Sequence, residues 1–291
     1  MRIYSLGSLN IDYVYSVDSF VRAGQTLASD GMTVFPGGKG LNQSVALARA
    51  GATVIVGALL GDGGEFLIDV LKDSGADVSR IEKVAATSGH AIIQVDREGQ
   101  NCILLYAGTN HLIDEGYVDR FLSDAEEGDV LLLQNEISAL SYIFETAHSK
   151  GMRIAFNPSP YNENINKLPL EYVSLWFCNE IEGVALFGSD DPDMIAKAFL
   201  EKYPHSALVL TLGEEGSVYV DKTEHIRAPI YKTSVVDTTG AGDTFSGYFL
   251  ACMASGESRA RCLDIASRAA SIAVSRKGAA SSIPTRSEVI G

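Results

Sequence analysis

From Asp129 onward the chain alternates short, continuously apolar runs with longer amphipathic ones. "DVLLLQNE" precedes "SALSYIFETAHSKG", "RIAFNPSP" and "LWFCNE" follow, and "MIAKAFLEKYP" leads into "ALVLTLG". A strand that is apolar at every position must be covered on both faces, and helices between such strands are what a parallel sheet requires. The pattern therefore predicts an α/β protein, a three-layer sandwich with a mostly parallel central sheet. Ligands in such sheets collect beyond the carboxyl ends of the strands. Taken singly, the polar endings QNE, NPSP, NE and TLG are ordinary turns; their recurrence points to one shared crevice.

The first hundred residues follow a different pattern. After a strand at Arg2 to Leu6, "IDYVYSVDSF" and "DGMTVFPGG" read as extended segments with mixed faces, and "HAIIQVDREGQNCILLYAG" as a hairpin turning at REGQ. These segments predict a small β-sheet outside the main one, a lid at about 11–36 and 88–109. Between them lie two helices, "GKGLNQSVALARAG" and "GEFLIDVLKDSGA", the second closed by a glycine suited to a helix C-terminus. No repeat, low-complexity tract or proline-rich linker divides the chain, so the expectation is one domain over 1–291 with a lid.

Bulk properties narrow the partners. With 291 residues, 46% of them hydrophobic, the chain has enough apolar material for a large core, and its formal net charge of −14 argues against an electrostatic grip on nucleic acid or an anionic membrane. Its apolar runs are far shorter than the ~20 residues that span a bilayer. The start, "MRIYSLGSLNIDY", lacks the apolar run and cleavage site of a signal peptide. Cys102, Cys178, Cys252 and Cys262 lie far apart and mostly in apolar segments with no CxxC pair, which reads as reduced core residues in a cytoplasmic protein.

The stretch "VVDTTGAGDTFSGYFLA" sets one carboxylate, Asp243, where glycine and small polar residues give way to a helical pattern. It is not a dinucleotide fingerprint, because Phe245 stands where the third glycine should, and it is not a Walker A loop, because no lysine follows Gly247. HRD and DFG motifs of protein kinases are absent. Asp243 is open to two readings, a helix cap or a catalytic acid-base group. Gly240, Ala241 and Gly242 have almost no side chain, so their N–H groups can approach a phosphoryl group closely. A carboxylate beside such a cradle repels the anion it binds, but it suits holding an attacking hydroxyl in line and taking its proton.

A second glycine cluster, "FPGGKGLNQSVALARAGA", places Gly37, Gly38 and Gly40 around Lys39, with Asn42 in the first turn of the following helix. "GSLNIDY" puts Asn10 and Asp12 two apart at the end of the first strand, a spacing that turns both to one face. Amide and carboxylate together suit sugar hydroxyls. Glu136 ends the QNE run at the proposed crevice.

"PGGKGLNQSVALARAGA" and "DTTGAGDTFSGYF" resemble the two signature motifs of the ribokinase (PfkB-type) family of carbohydrate kinases. "GSLNID", "LLLQNE", "NPSP", "NEIE", "TLGEEG" and "AVSRKGAASSIP" resemble that family in the same order, so the likeness runs from about Gly7 to Pro284. The resemblance implies a ribokinase-like fold and assigns roles. Asp243 matches the catalytic base, and Gly240, Ala241 and Gly242 the anion hole. Asn10, Asp12, Gly38, Lys39, Asn42 and Glu136 match positions that hold sugar hydroxyls. Asn179 and Glu182 match a pair near phosphate and Mg2+, and Thr211, Gly213 and Gly216 the nucleotide loop. Asp237, Thr239, Ala273, Arg276, Gly278 and Ser282 match loops that hold a monovalent cation, K+ as activator. Two positions depart from the pattern. Ser267 stands where relatives often place His or Asn beside the adenine, and Leu41 replaces a small residue in what reads as a sugar-facing loop, an expected narrowing of the pocket.

The resemblance thus implies ATP-dependent transfer of the γ-phosphate to the primary hydroxyl of a neutral pentose, D-ribose to ribose 5-phosphate; the small sheet, apolar on an exposed face, is expected to pair with its copy in a homodimer. A phosphosugar would need a basic grip, and the lid segments hold only Arg22 and Arg97. Fructose or a nucleoside such as adenosine stays open, since Tyr13, Tyr15, Phe35 and Tyr106 could stack on a base. A non-catalytic sugar-binding regulator on the same fold should have lost Asp243 or its glycines; both are present.

Overall fold

The computed structural model describes all residues, Met1–Gly291. In chain order its elements are β1 (Ile3–Leu6), β2 (Asn10–Ser16), β3 (Gly31–Gly37), α1 (Lys39–Arg49), β4 (Val54–Asp62), α2 (Glu65–Asp73), β5 (Asp77–Thr87), β6 (Gly89–Val95), β7 (Asn101–Tyr106), α3 (Glu115–Phe121), β8 (Val130–Gln134), α4 (Leu140–Ser149), β9 (Arg153–Asn157), β10 (Val173–Asn179), α5 (Glu180–Phe187), α6 (Pro192–Lys202), β11 (Ala207–Thr211), β12 (Ser217–Val220), β13 (His225–Ala228), α7 (Ala241–Ala254), α8 (Arg259–Val274) and α9 (Arg286–Ile290).

Nine strands form the large sheet in the order β13-β12-β11-β10-β9-β8-β1-β4-β5. It is parallel from β5 to β11 and closes with an antiparallel edge, β11-β12-β13. The continuous apolar runs are buried on both faces, as expected. Along β8, Val130 and Leu132 enter one core layer while Leu131 and Leu133 enter the other. The first layer packs beneath α1, α7 and α8, the second beneath α3, α4 and α6. Sequence periodicity had not singled out β4, β5 or the β12–β13 hairpin. β4 is a continuously apolar strand buried at eight of its nine positions, whereas β5 has mixed faces and β12 and β13 are short strands fixed by antiparallel pairing at the sheet edge.

The parallel register lines up the polar strand endings. Gln134 pairs with Asn157, and Asn179 with Thr211, so the ends of β8 to β11 share one edge. Local chemistry starts the helices there: Asn179 caps α5, and Asp191 caps α6 with Pro192 in its first turn.

The predicted small sheet is present, with four strands in the order β3-β2-β6-β7 and the β6–β7 hairpin turning over Asp96–Gln100. One expectation is corrected here. Asn10 and Asp12 do not end the first strand; they begin β2, because the chain leaves the large sheet after Leu6 and pairs with Gly37 and Gly89 instead.

Candidate active site

Helix α7 carries the GAGD stretch at its first turn. Gly240 is its N-cap, in a left-handed conformation, and the backbone N–H groups of Gly242 and Asp243 donate to no carbonyl. They present free donors and the positive end of a 14-residue helix. Asp243 does not cap the helix with its side chain. It is 8% exposed, and both carboxylate oxygens receive amide donors: Asn42 Nδ2 at 3.0 Å and Gln43 Nε2 at 2.8 Å.

Two glycines let α1 bring those amides so close. A Cβ on Gly247 would lie 2.4 Å from that of Ala46, and one on Gly40 would lie 2.5 Å from backbone atoms of Gly7 and Ser8. Real side chains do not approach to these distances, so α1 packs backbone-close against both α7 and the end of β1.

Near Asp243 lies a polar group built from the N-terminal segments. Glu136 Oε2 accepts from the Ser8 hydroxyl and from the Lys39 backbone N–H at 3.1 Å. Asn10 Oδ1 accepts from Asn110 Nδ2 at 2.8 Å, which leaves its own NH2 as the free donor. Asp12 packs against Gly37, and burial, then the neighbouring Glu136 charge, pushes its pKa up to about 7. Burial likewise raises Glu136, opposed by the Ser8 and Lys39 contacts. A Cβ on Gly38 would lie 2.7 Å from the Ser8 carbonyl oxygen, so only glycine fits there, and Asn42 Oδ1 is buried without a partner.

Asp243 itself lines a cavity of about 190 Å³, together with Lys39, Asn179, Glu182, Thr211, Gly240, Ala241 and Gly242, among others. Burial works against the Lys39 charge, but the Asp243, Glu136 and Glu182 carboxylates outweigh it and hold the ammonium protonated. Asn179 and Glu182 form a capping box on α5, each accepting the other's backbone N–H at 2.9 Å. That role uses one oxygen of each, so Asn179 Nδ2 and Glu182 Oε1 remain for a ligand. Gly213 and Gly216 form the turn from β11 to β12. Ser267 is buried on α8 and does not line this cavity.

The remaining assigned residues cluster beside the start of α7. Asp237 accepts from the N–H of Thr239 and of Gly278, both at 2.9 Å, and so ties the two loops together. Burial alone would raise its pKa; these hydrogen bonds and Lys277 hold it below the usual carboxylate value. Ala273 O accepts from Arg276 N at 3.0 Å, and the buried Ser282 hydroxyl donates to Ala279 O at 2.8 Å. Arg276 directs its guanidinium away to Glu288 at 2.6 Å.

Two further corrections concern individual side chains. Leu41 is not in a sugar-facing loop. It is fully buried in α1 among the core residues, so the expected narrowing of the pocket has no basis. Sequence reasoning also missed Ser8, Gln43 and Asn110, which hold Glu136, Asp243 and Asn10. Nothing local marked them: Gln43 is an ordinary good helix former within α1, and Ser8 and Asn110 fit loops, so their roles come only from partners distant in the chain.

The chain matches the pfkB family carbohydrate kinase over residues 2–286. A ribokinase of Bacillus subtilis (strain 168) is 33% identical over 292 residues, covering 99% of this chain and 98% of that one. The structure of an Arabidopsis thaliana ribokinase complexed with ribose and ATP superposes with a TM-score of 0.89 at 27% identity, covering 99% of this chain and 97% of that one. A Cryptococcus neoformans var. grubii ribokinase in complex with ADP gives 0.86 at 31%, covering 99% and 98%. With both glycine motifs joined in one site and the likeness running through the whole chain, this protein belongs to the pfkB family of carbohydrate kinases.

Proposed function

We propose that this chain transfers the terminal phosphoryl group of ATP to the primary hydroxyl of D-ribose, giving ribose 5-phosphate and ADP. The observation that carries the reading is the position of Asp243. It stands at the free-amide end of α7 and lines one cavity with Lys39 and Thr211, and Lys39 in turn donates its backbone N–H to Glu136 of the hydroxyl-binding set. The relatives' complexes with ribose and ATP and with ADP support the choice of both substrates.

In this mechanism the Asn42 and Gln43 amides aim the Asp243 carboxylate at the sugar's primary hydroxyl, which loses its proton to Asp243 as the oxygen attacks phosphorus. The N–H groups of Gly242 and Asp243 donate to the phosphoryl oxygens, and protonated Lys39 spreads the charge. Asn10 supplies a donor for ring hydroxyls, and Asn42, expected among the sugar ligands, instead spends its NH2 on Asp243 with its carbonyl sealed from any cavity.

Mg2+ fits a site with one free carboxylate oxygen, Glu182 Oε1, because this ion is commonly held by one or two carboxylates and the substrate's own phosphates. No cluster of three or more metal-binding side chains is present, consistent with that mode. When bound it would neutralise phosphate charge. The all-oxygen donor set of carbonyls, hydroxyl and carboxylate at Asp237, Thr239, Ala273, Arg276, Gly278 and Ser282 fits a hard monovalent cation, K+, which would brace the loops that set the start of α7.

We further propose a single domain over 1–291 whose small sheet is a lid on the sugar and pairs with its copy in a homodimer. Met32, Val34, Ile92, Ile103, Leu104, Leu105 and Tyr106 of that sheet are exposed, an apolar surface that favours being covered. The free thiols of Cys178, Cys252 and Cys262 are buried and support a cytoplasmic protein, whereas Cys102, expected in the core with them, is exposed on β7 because that strand has no helix over it. No helix is long and apolar enough to cross a membrane.

Comparing kcat/KM for ribose, deoxyribose, fructose and adenosine by ADP release tests the assignment. Ribose should exceed deoxyribose by about 5- to 150-fold, the cost of leaving a buried hydrogen-bond partner unpaired. A lead for fructose or adenosine would keep the kinase chemistry and overturn the ribose assignment.

A further inference from the structure

The polar endings of β8 and β9 contribute more than crevice lining. Gln134 and Asn157 are partners across the parallel ladder, and both reach Gln43 on α1: Gln134 Nε2 donates to Gln43 Oε1 at 2.8 Å, and Gln43 Nε2 reaches Asn157 Oδ1 at 3.3 Å. All three amides are buried, Gln43 at 1% exposure and Gln134 at 0%.

The direction of every amide in this network is set by chemistry at its two ends. An ionised carboxylate only accepts, so the NH2 of Gln43, not its carbonyl, must face Asp243. At the far end Asn157 Nδ2 donates to the Phe177 carbonyl at 2.7 Å, which also only accepts, so Asn157 must offer its oxygen to Gln43. The two hydrogens of the Gln43 NH2 are thereby used on Asp243 and Asn157. Its carbonyl is taken by Gln134, whose own oxygen has no partner. Rotating the Gln43 amide by half a turn would bring its carbonyl against two oxygens and its NH2 against another NH2. One orientation satisfies the network, and the alternative opposes it at every contact.

We propose that Gln43, locked by Gln134 and Asn157, is the positioning residue that holds the Asp243 carboxylate in its reactive orientation, so that the carboxyl ends of β8 and β9 control the base without touching substrate. The proposal rests on the reading of Asp243 as the base. It extends that reading from the two glycine motifs to residues of the central sheet.

The test is a double-mutant cycle on the full chain. Gln134→Glu replaces the donor facing Gln43 with an acceptor and so opposes the Gln43 carbonyl at the one contact that holds it, while Asp243 and Asn157 still hold the NH2. Gln134→Leu removes the contact without adding charge and serves if the first variant does not fold. Each is measured alone and with Asp243→Asn, by steady-state kinetics on ribose and ATP. With Asp243 present, either substitution should lower kcat by about tenfold, the size expected for a misplaced acid-base group, while KM for ATP stays within about twofold. With Asn at 243, the same substitutions should leave the residual turnover unchanged, because residues that act as a unit are not additive. An equal loss in both backgrounds, or no loss in the first, overturns the positioning role. Near-full turnover of Asp243→Asn by itself would instead remove the base assignment, a separate result read from a separate protein.

Discussion

The two sheets solve the burial problem in opposite ways. The large sheet hides its apolar residues between helices, and β8 is buried at every position; the small sheet leaves β7 exposed at every position, with Ile103, Leu104 and Leu105 in the open. The large sheet can therefore be stable in one chain and is suited to hold groups rigidly, whereas a four-stranded sheet with this surface needs a cover. The site is divided along the same line. Strands β8 to β11 and helix α7 supply the phosphoryl side, and β2 of the small sheet supplies Asn10 and Asp12. In the proposed reading, the phosphoryl chemistry sits on the large-sheet side, and the small sheet adds Asn10 and Asp12 to the recognition of the sugar.

The largest effect should come from the rigid half. Asp243→Asn keeps the side-chain volume but turns an NH2 toward one of the two amide donors, so the melting temperature should fall by no more than several degrees while kcat falls on the order of 10²-fold or more. Unchanged turnover in a folded variant would place the chemistry elsewhere.

Asp12→Asn should separate function from stability in the lid half. Its pKa is raised from 3.8 to about 7, so between those values the folded state binds more protons than the unfolded state. Stability of the ligand-free protein therefore declines as pH rises through this window, and the full penalty stands above about pH 7. The variant should raise KM for ribose by about tenfold, one hydrogen bond to a charged or polar partner. It should also melt at a higher temperature than the parent at pH 8, with the difference vanishing near pH 4. A variant less stable at pH 8 would contradict the cause assigned to the shift.

Leu104→Glu puts a charge on the most exposed apolar position of β7, at 68% exposure. It should shift a dimer toward monomer in light scattering at micromolar concentration and raise KM for ribose more than KM for ATP. A parent protein that is monomeric under the same conditions would remove the pairing of lids and leave the apolar face without its proposed cover.

The smallest expected change is the response to monovalent cation. Exchanging potassium for sodium should lower turnover severalfold, since Asp237 bridges Thr239 and Gly278 directly beside the start of α7. Equal rates in potassium-free buffer would mean that these hydrogen bonds brace the loops without an ion.

Much of the molecule follows from short-range pattern. The run "VLLLQ" permits little but a strand covered on both faces, and "GAGD" ahead of an apolar helical stretch permits little but a glycine-lined helix start bearing a carboxylate. Both signals lie within a few residues and act through backbone geometry, so they can be read without the fold. The alternation of Asn10 and Asp12 was legible for the same reason, although their strand proved to belong to the small sheet.

Other features were decided only when distant segments met. Leu41 looked like a loop residue because its neighbours are glycines, yet those glycines exist to let α1 press against Ser8, and this turns Leu41 into the core. Asp12 is an ordinary carboxylate in the sequence and a reluctant one in the fold, because burial and Glu136, 124 positions away in the numbering, reach it only after β2 leaves the large sheet. Gln43 meets Gln134, Asn157 and Asp243 across separations of 91, 114 and 200 residues. A pattern with no fixed spacing leaves no motif to recognise. The direction of each amide is a property of its partners, so it comes into being only in the assembled site.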